Sequence, residues 1–403
     1  MIDVPRARAA TPGCHDVVHL NNAGASLPTR HVLDVVIGHL ELEARIGAYA
    51  AADAVADRAD AVYDSVARLL SASREEIGLV DSATRAWDLA FSSFASTFEP
   101  GDVVLTSTSE YASNVIAMLH AARRGGITVE RIPDDEHGAV SVDALHERLA
   151  RRDGAPVRLV AVSWIPTQGG LVNPAAAVGA AARAAGVPYL LDACQAVGQL
   201  PVDVEALGCD VLAATGRKFL RAPRGTGVLY VRRDWIERLD PPFLDVHSAR
   251  WTGTDTFEVR GDARRFETFE HSVAGRLGLG LAVDEALDWG LDAIAERVDV
   301  LATALRERLV TVPGLVLRDL GADGERCAIV TFTIEGVDPF TIATALRARS
   351  VNIGVSTIDF ARTDFERRGL DAVARASVHY YNTVDELDRL VDELATIGAS
   401  RRD

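Results

Sequence analysis

From about residue 75 to 235, short apolar runs rich in Val, Leu and Ile alternate with amphipathic stretches. The runs at 103–106, 128–132, 157–164, 188–191, 211–214 and 227–231 are the strand candidates, rich in Val, Leu and Ile as buried strands are. Between them, 86–98, 114–122, 141–150 and 174–185 follow a helical period. Pro174 suits a first helical position, where its missing N–H costs nothing, and Gly186 followed by Pro188 is a stop signal. This alternation predicts an α/β unit with a mostly parallel sheet and right-handed crossovers. From about 290 the texture changes. Helices at 293–309, 339–347 and 384–397, with strands at 315–318, 328–334, 350–356 and 376–380, predict a smaller α+β unit. The segment 236–280 reads as a connector that carries loops.

Composition narrows the class. At 403 residues the chain exceeds one ordinary domain. Its 48% hydrophobic and 25% charged residues exclude a disordered chain, a collagen and a coiled coil. No apolar run reaches the length of a membrane span, and the N-terminus lacks a signal-peptide core, so a cytoplasmic location is expected. Four cysteines without metal-ligand spacing read as free thiols, with no metal site. The net charge of −16, with no basic stripe, argues against nucleic-acid and membrane partners. The pairs Arg123-Arg124, Arg151-Arg152 and Arg232-Arg233 read as solvated faces.

One count changes the picture. Of 42 basic residues a single one, Lys218, is lysine. Codon bias exchanges surface lysines for arginine at little cost, but arginine cannot deprotonate or form a Schiff base. The surroundings of Lys218 therefore matter. An apolar run ends in Asp192-Ala193-Cys194-Gln195, where ligands of open α/β sheets bind. A second apolar run leads through Thr215-Gly216-Arg217 into Lys218, 26 residues after Asp192. A Gly-rich turn, Gly225-Thr226-Gly227, then returns into a strand. A carboxylate and a lysine at neighbouring strand ends are what pyridoxal 5'-phosphate needs: one to form the Schiff base, one to keep the pyridine nitrogen protonated.

These pieces resemble the class V aminotransferase and cysteine desulfurase-like family of fold type I pyridoxal phosphate enzymes. Leu20-Asn21-Asn22-Ala23-Gly24 resembles its N-terminal substrate-side loop, and Ala374-Arg375-Ala376-Ser377 with Tyr381-Asn382-Thr383 its carboxylate-binding strand. The likeness covers about 18–398. It implies a large domain with a mostly parallel sheet over 31–280, a small α+β domain over 281–403, and an arm, 1–30, contributing to the active site and the small domain. It also implies a homodimer, with 264–272 matching the loop that crosses over. Carried over, Lys218 would be the catalytic Schiff-base lysine and proton shuttle. Asp192 would pair with the ring nitrogen, Gln195 with the ring hydroxyl, and Tyr111 would stack on the ring. Thr215, Ala83 and Thr84 would hold the phosphate, the last two at a helix start. Arg375 and Asn22 would bind substrate, Arg375 clamping its carboxylate.

For the reaction, the resemblance points first to the family's C–S lyases, which include hercynylcysteine sulfoxide lyase and antibiotic-pathway relatives. Desulfurases carry a nucleophilic cysteine shortly before the Arg375 strand, and 352–369 has none. Arg217 stands where they carry histidine. The expectation is β-elimination from an S-substituted cysteine or its sulfoxide in secondary metabolism. The alternatives are decarboxylation-coupled deamination, epimerisation or transamination, and cysteine desulfurisation. Trp164, Trp251, His247 and Arg362 are candidates for the substrate pocket.

Overall fold

The computed structural model describes residues 1–151 and 154–399, so Arg152 lies outside it. A seven-stranded sheet forms the centre. Its spatial order is Ile77–Val80, Gly227–Val231, Val211–Thr215, Tyr189–Asp192, Val157–Ser163, Val103–Thr106, Thr128–Arg131. From Val211–Thr215 to Thr128–Arg131 all neighbours are parallel; Gly227–Val231 and Ile77–Val80 are antiparallel. The sheet is thus mostly parallel, as expected.

Side-chain alternation explains the continuous apolar runs. Leu105, Val160, Val162, Tyr189, Leu191 and Leu212 enter one core. Val104, Leu159, Ala161, Leu190, Ala213 and Leu229 enter the other, against Trp87, Leu89 and Phe91 of the helix Ala83–Ala95. Both faces of the central strands are covered, so neither needs polar positions; the edge strand Thr128–Arg131, expected to be buried, has no buried residue and carries Glu130 and Arg131. Register sets Ser163, Asp192 and Ala213 abreast at the strand ends.

Several expectations shift. The 236–280 connector holds a hairpin, Ala249–Gly253 with Thr256–Val259, but its end belongs to the helix Val273–Trp289. That helix buries Ala274, Leu277, Leu279, Ala282, Val283 and Ala286. A helix buried on most sides shows little amphipathic period. It packs tightly: a Cβ on Gly280 would lie 2.7 Å from Val62. The helices Arg30–Ile46 and Ala56–Leu70, beside it, were also not anticipated. Pro174 is the cap before Ala175–Ala185 rather than its first residue. Arg232 is not a solvated face; it pairs with Asp210 at 2.5 Å.

The C-terminal layer has an antiparallel sheet ordered Leu315–Leu317, Ile329–Ile334, Ala372–Ser377, Gly354–Thr357. The strand expected at 350–356 is two. Val351–Asn352 pairs with Val18–His19 of the N-terminal arm, and Gly354–Thr357 with Ala372–Ser377. The strand expected at 376–380 ends at Ser377, because His379 N donates to Asn382 Oδ1 at 2.8 Å and turns the chain. The arm is stitched in by Leu20 N to Asn352 O (2.8 Å) and Ser377 N to Leu20 O (2.7 Å).

Candidate active site

A cavity of about 150 Å³ opens at the C-terminal ends of the parallel strands. Asp192, Lys218, Gln195, Thr215, Tyr111 and the helix start at Ala83-Thr84 all line it. Residues far apart in the chain meet there because the parallel strands all end on one edge.

Asp192 closes its strand with both oxygens engaged. Oδ1 accepts from Cys194 N at 2.9 Å and Oδ2 from Asn114 Nδ2 at 2.8 Å. The same Asn114 nitrogen donates to Glu110 Oε1 at 2.8 Å. Glu110 is buried and also accepts from Ser163 N (2.8 Å), Tyr111 N (3.1 Å) and the Ser163 hydroxyl. Burial pushes its carboxyl pKa up and the Asp192 charge adds to that, while the Ser163 and Asn114 bonds oppose. Asn114 thus bridges two carboxylates. Sequence reading missed this role; the available signal was an asparagine in the first turn of Ala112–Gly125, four residues after an acid.

Lys218 follows Val211–Thr215 on a turn held by Ala222 N to Gly216 O (2.9 Å) and Arg221 N to Lys218 O (3.0 Å). Gly198, at φ +94°, lies so close behind this turn that a Cβ would collide with the Phe219 backbone. Lys218 Nζ lies 3.2 Å from Cys194 Sγ. Burial raises the Cys194 thiol pKa, opposed by the Lys218 charge.

A helix start also borders the cavity. Ser82 caps Ala83–Ala95, its Oγ accepting from Arg85 N at 3.1 Å, and the first turn faces the cavity with the positive end of the helix dipole. Gly227 lets its strand approach: a Cβ there would lie 2.5 Å from the Ser82 carbonyl carbon. Thr215 donates Oγ1 to Thr226 O at 3.2 Å beside it.

Arg375 does not line the cavity itself: its Nη1 donates to Thr167 O (3.0 Å) and Oγ1 (2.6 Å), and Thr167 lines it. Tyr111 stands half-buried with its ring 6.4 Å from that of Phe360 and nearly parallel to it. Asn22 is the exception. Its Nδ2 donates to Ser377 O at 2.7 Å and its Oδ1 accepts from Tyr381 OH at 2.5 Å. Asn22, expected to bind substrate, does not line the cavity, and its side chain joins the arm to the C-terminal layer. None of the four candidate pocket residues lines the cavity. Trp164 is core, Trp251 is exposed on the hairpin, His247 meets Glu267 at 3.2 Å, and Arg362 pairs with Asp359 and Glu366.

The residues present fit pyridoxal 5'-phosphate on one observation in particular. Gln195 Oε1 is buried without a partner while its Nε2 donates to Ala23 O at 3.2 Å. A ring hydroxyl would supply the missing donor.

The family description "Aminotransferase class-V" matches residues 18–390. The chain belongs to that family. It is a pyridoxal phosphate-dependent enzyme of fold type I. It is 32% identical over 346 residues to a probable cysteine desulfurase of Xylella fastidiosa (strain 9a5c), covering 84% of this chain and 80% of that one. In fold it is similar to the apo cysteine desulfurase of Thermococcus onnurineus NA1, at TM-score 0.91, 22% identity and 99% coverage of both chains. A cystine C–S lyase in complex with cysteine persulfide is similar at TM-score 0.84 and 21% identity, covering 96% of this chain and 99% of that one.

These relatives correct the expectation of β-elimination from an S-substituted cysteine: the curated relatives are named for cysteine desulfurisation. The lyase likeness speaks to fold alone. The physical reason is plain. A loop without a thiol restricts who accepts the sulfur; it does not decide whether sulfur leaves by elimination or by transfer.

Proposed function

We propose that the chain is a pyridoxal phosphate-dependent enzyme of the cysteine desulfurase type, taking sulfur from cysteine or a sulfur-modified cysteine and leaving alanine. The observation that carries the chemistry is the sole lysine, placed in one cavity with Asp192 and an anion-binding helix start. The bound cofactor supplies an electron sink for the amino acid's α-carbon. Lys218 would hold it through Nζ and then, released, move the α-proton. Asp192 would keep the ring nitrogen protonated, with Asn114 and the Cys194 N–H fixing its orientation. Ala83, Thr84 and Thr215 would hold the phosphate, Tyr111 would cover the ring and Gln195 would take the ring hydroxyl; Arg375, bonded to the lining residue Thr167, would take the substrate carboxylate.

The test is borohydride reduction of the holoenzyme with peptide mapping, and product analysis with L-cysteine and a supplied thiol. The pyridoxyl group is expected on the peptide containing Lys218, with alanine formed. Label elsewhere, or pyruvate and ammonia in place of alanine, sinks the assignment. A second reading, transamination, epimerisation or decarboxylation-coupled deamination, has one observation behind it: the thiol-free 352–369. Keto acid, D-isomer or carbon dioxide in the same assay would establish it.

A homodimer belongs to this reading. Phe243, Trp251, Phe257 and Phe269 are exposed on the segment that holds the hairpin. Thr268, Glu270 and His271 border a second cavity that shares Asp81 and Gly225 with the first. Light scattering should give twice the 43.1 kDa chain mass, and an active monomer would refute it.

A further inference from the structure

Arg217 lines the cavity and Arg375 stands behind Thr167, which also lines it, and among the described residues neither guanidinium meets a carboxylate. Arg375 is 8% exposed, and its two hydrogen bonds both go to Thr167. Its Nε is buried without a partner. Burial, with Arg217 beside it, lowers its pKa to about 10, and Tyr111 opposes. Arg217 lines the cavity and donates Nη1 to Gly24 O; among the described residues neither arginine forms an ion pair. In a chain with 58 acids this is not scarcity. Arg306, equally buried, meets Asp319 at 2.6 Å. Keeping a buried Arg375 beside a half-buried Arg217 without a counterion is costly unless a ligand brings the anions.

The location separates this pair from the cofactor's phosphate end. Gly24 belongs to the N-terminal arm, beside the Asn21–Ser377 bridge. A Cβ on Gly354 would lie 2.7 Å from Asn21 Oδ1 and 3.3 Å from Arg375 Nη2, so the arm and Arg375 meet at one point. The helix start at Ser82 is elsewhere on the cavity wall and has its own N–H donors.

We infer that the substrate carries a second anionic group on its side chain, held by Arg217, while Arg375 takes the α-carboxylate. The preferred substrate class is then an amino-acid diacid of three or four backbone-and-side-chain carbons, bound ahead of a neutral amino acid such as cysteine. This rests on the proposed function for its reaction and deepens it by naming the charge of the substrate. It also accords with 352–369, where no thiol is present to attack a neutral sulfur.

The test titrates holoenzyme with L-cysteine sulfinate and L-aspartate against L-serine, following the absorbance change as each amino acid displaces Lys218 from the cofactor. The diacids are expected to bind at least about tenfold tighter than serine, the worth of one charge-assisted contact. Arg217→Gln should bring that ratio to within about twofold, and Arg217→Lys should keep part of it. The affinity of each apoenzyme for pyridoxal 5'-phosphate is measured alongside. No diacid preference in the wild type overturns the inference. So does a preference that survives Arg217→Gln, or a loss of cofactor affinity in that variant with the ratio intact, which would assign Arg217 to the phosphate. The two readings fail separately. A diacid preference that depends on Arg217, with no alanine from any sulfur amino acid, leaves the substrate class standing and removes desulfurisation. Alanine from L-cysteine without any diacid preference does the reverse.

Discussion

Glu110→Ala tests whether the buried network behind Asp192 is a positioning device or a passive hydrogen-bond sink. The substitution removes the acceptor of Ser163 N, Tyr111 N and Asn114 Nδ2. Ser163 and Asn114 are each 2% exposed, so water does not readily replace the lost partner. Two stranded buried donors at about 1–3 kcal/mol each give roughly 2–6 kcal/mol. Removing a carboxyl whose ionised form is disfavoured beside Asp192 gives part of that back. The expected net loss is about 2–4 kcal/mol, a large share of the roughly 5–15 kcal/mol typical of folded proteins. Glu110→Gln keeps the volume and one acceptor and should lose less, about 1–2 kcal/mol. Urea unfolding of the apoenzyme reads these differences. The pH dependence carries a sign as well. Because the fold raises the Glu110 pKa, its favourable contribution is complete below the ordinary carboxylate pKa and is lost as pH rises through the folded value. The stability gap between wild type and Glu110→Gln should therefore narrow from mild acid towards neutral pH. A cooperative Glu110→Ala variant that loses less than about 1 kcal/mol would refute the reasoning.

Asp192→Asn should leave cofactor bound but slow α-proton exchange of L-alanine in deuterated water by about tenfold or more, read by NMR; unchanged exchange counts against the pyridine-nitrogen role. Gly227→Ala should push the Ser82 cap outward, since the added Cβ would lie 2.5 Å from its carbonyl carbon, and weaken cofactor uptake by the apoenzyme about tenfold; unaltered uptake would separate the cap from phosphate binding. Glu267 has the opposite pH sign to Glu110: His247, Arg276 and Leu79 N–H together outweigh burial, which opposes them, and lower its pKa. Its contribution is present above the ordinary carboxylate pKa and lost as pH falls through the folded value, so Glu267→Gln should flatten the acid limb of the stability curve.

What was legible in the sequence is what one element carries by itself. The run 103–106 is a strand with those bounds because a strand buried on both faces needs no information beyond its own apolarity. The meeting of Asp192 and Lys218 in one cavity was legible for a related reason: Asp192 ends an apolar strand, Lys218 follows another by three residues, and parallel strands deliver their C-terminal ends to one edge whatever the crossovers do. What failed is pairwise. Val273–Trp289 shows little period because its partners, not its own pattern, bury it. The segment 350–356 reads as one strand, but its two halves serve different neighbours, and the N-terminal arm that claims the first half lies more than 300 residues away in the chain. Asn22 and Asn114 show the same limit within the site. Asn22 turns inward to Ser377 and Tyr381 with no local sign of it, and Asn114 turns to Asp192 with only its place four residues after an acid to mark it. The fate of the sulfur is the extreme case. It depends on which group meets the substrate across the cavity, and the Tyr111–Phe360 stack brings 352–369 to that wall with an aromatic ring and no thiol. A missing nucleophile constrains the acceptor, and two unpaired arginines constrain the charge of what enters. The reaction is set by both together, which is why the substrate's charge is the property to measure first.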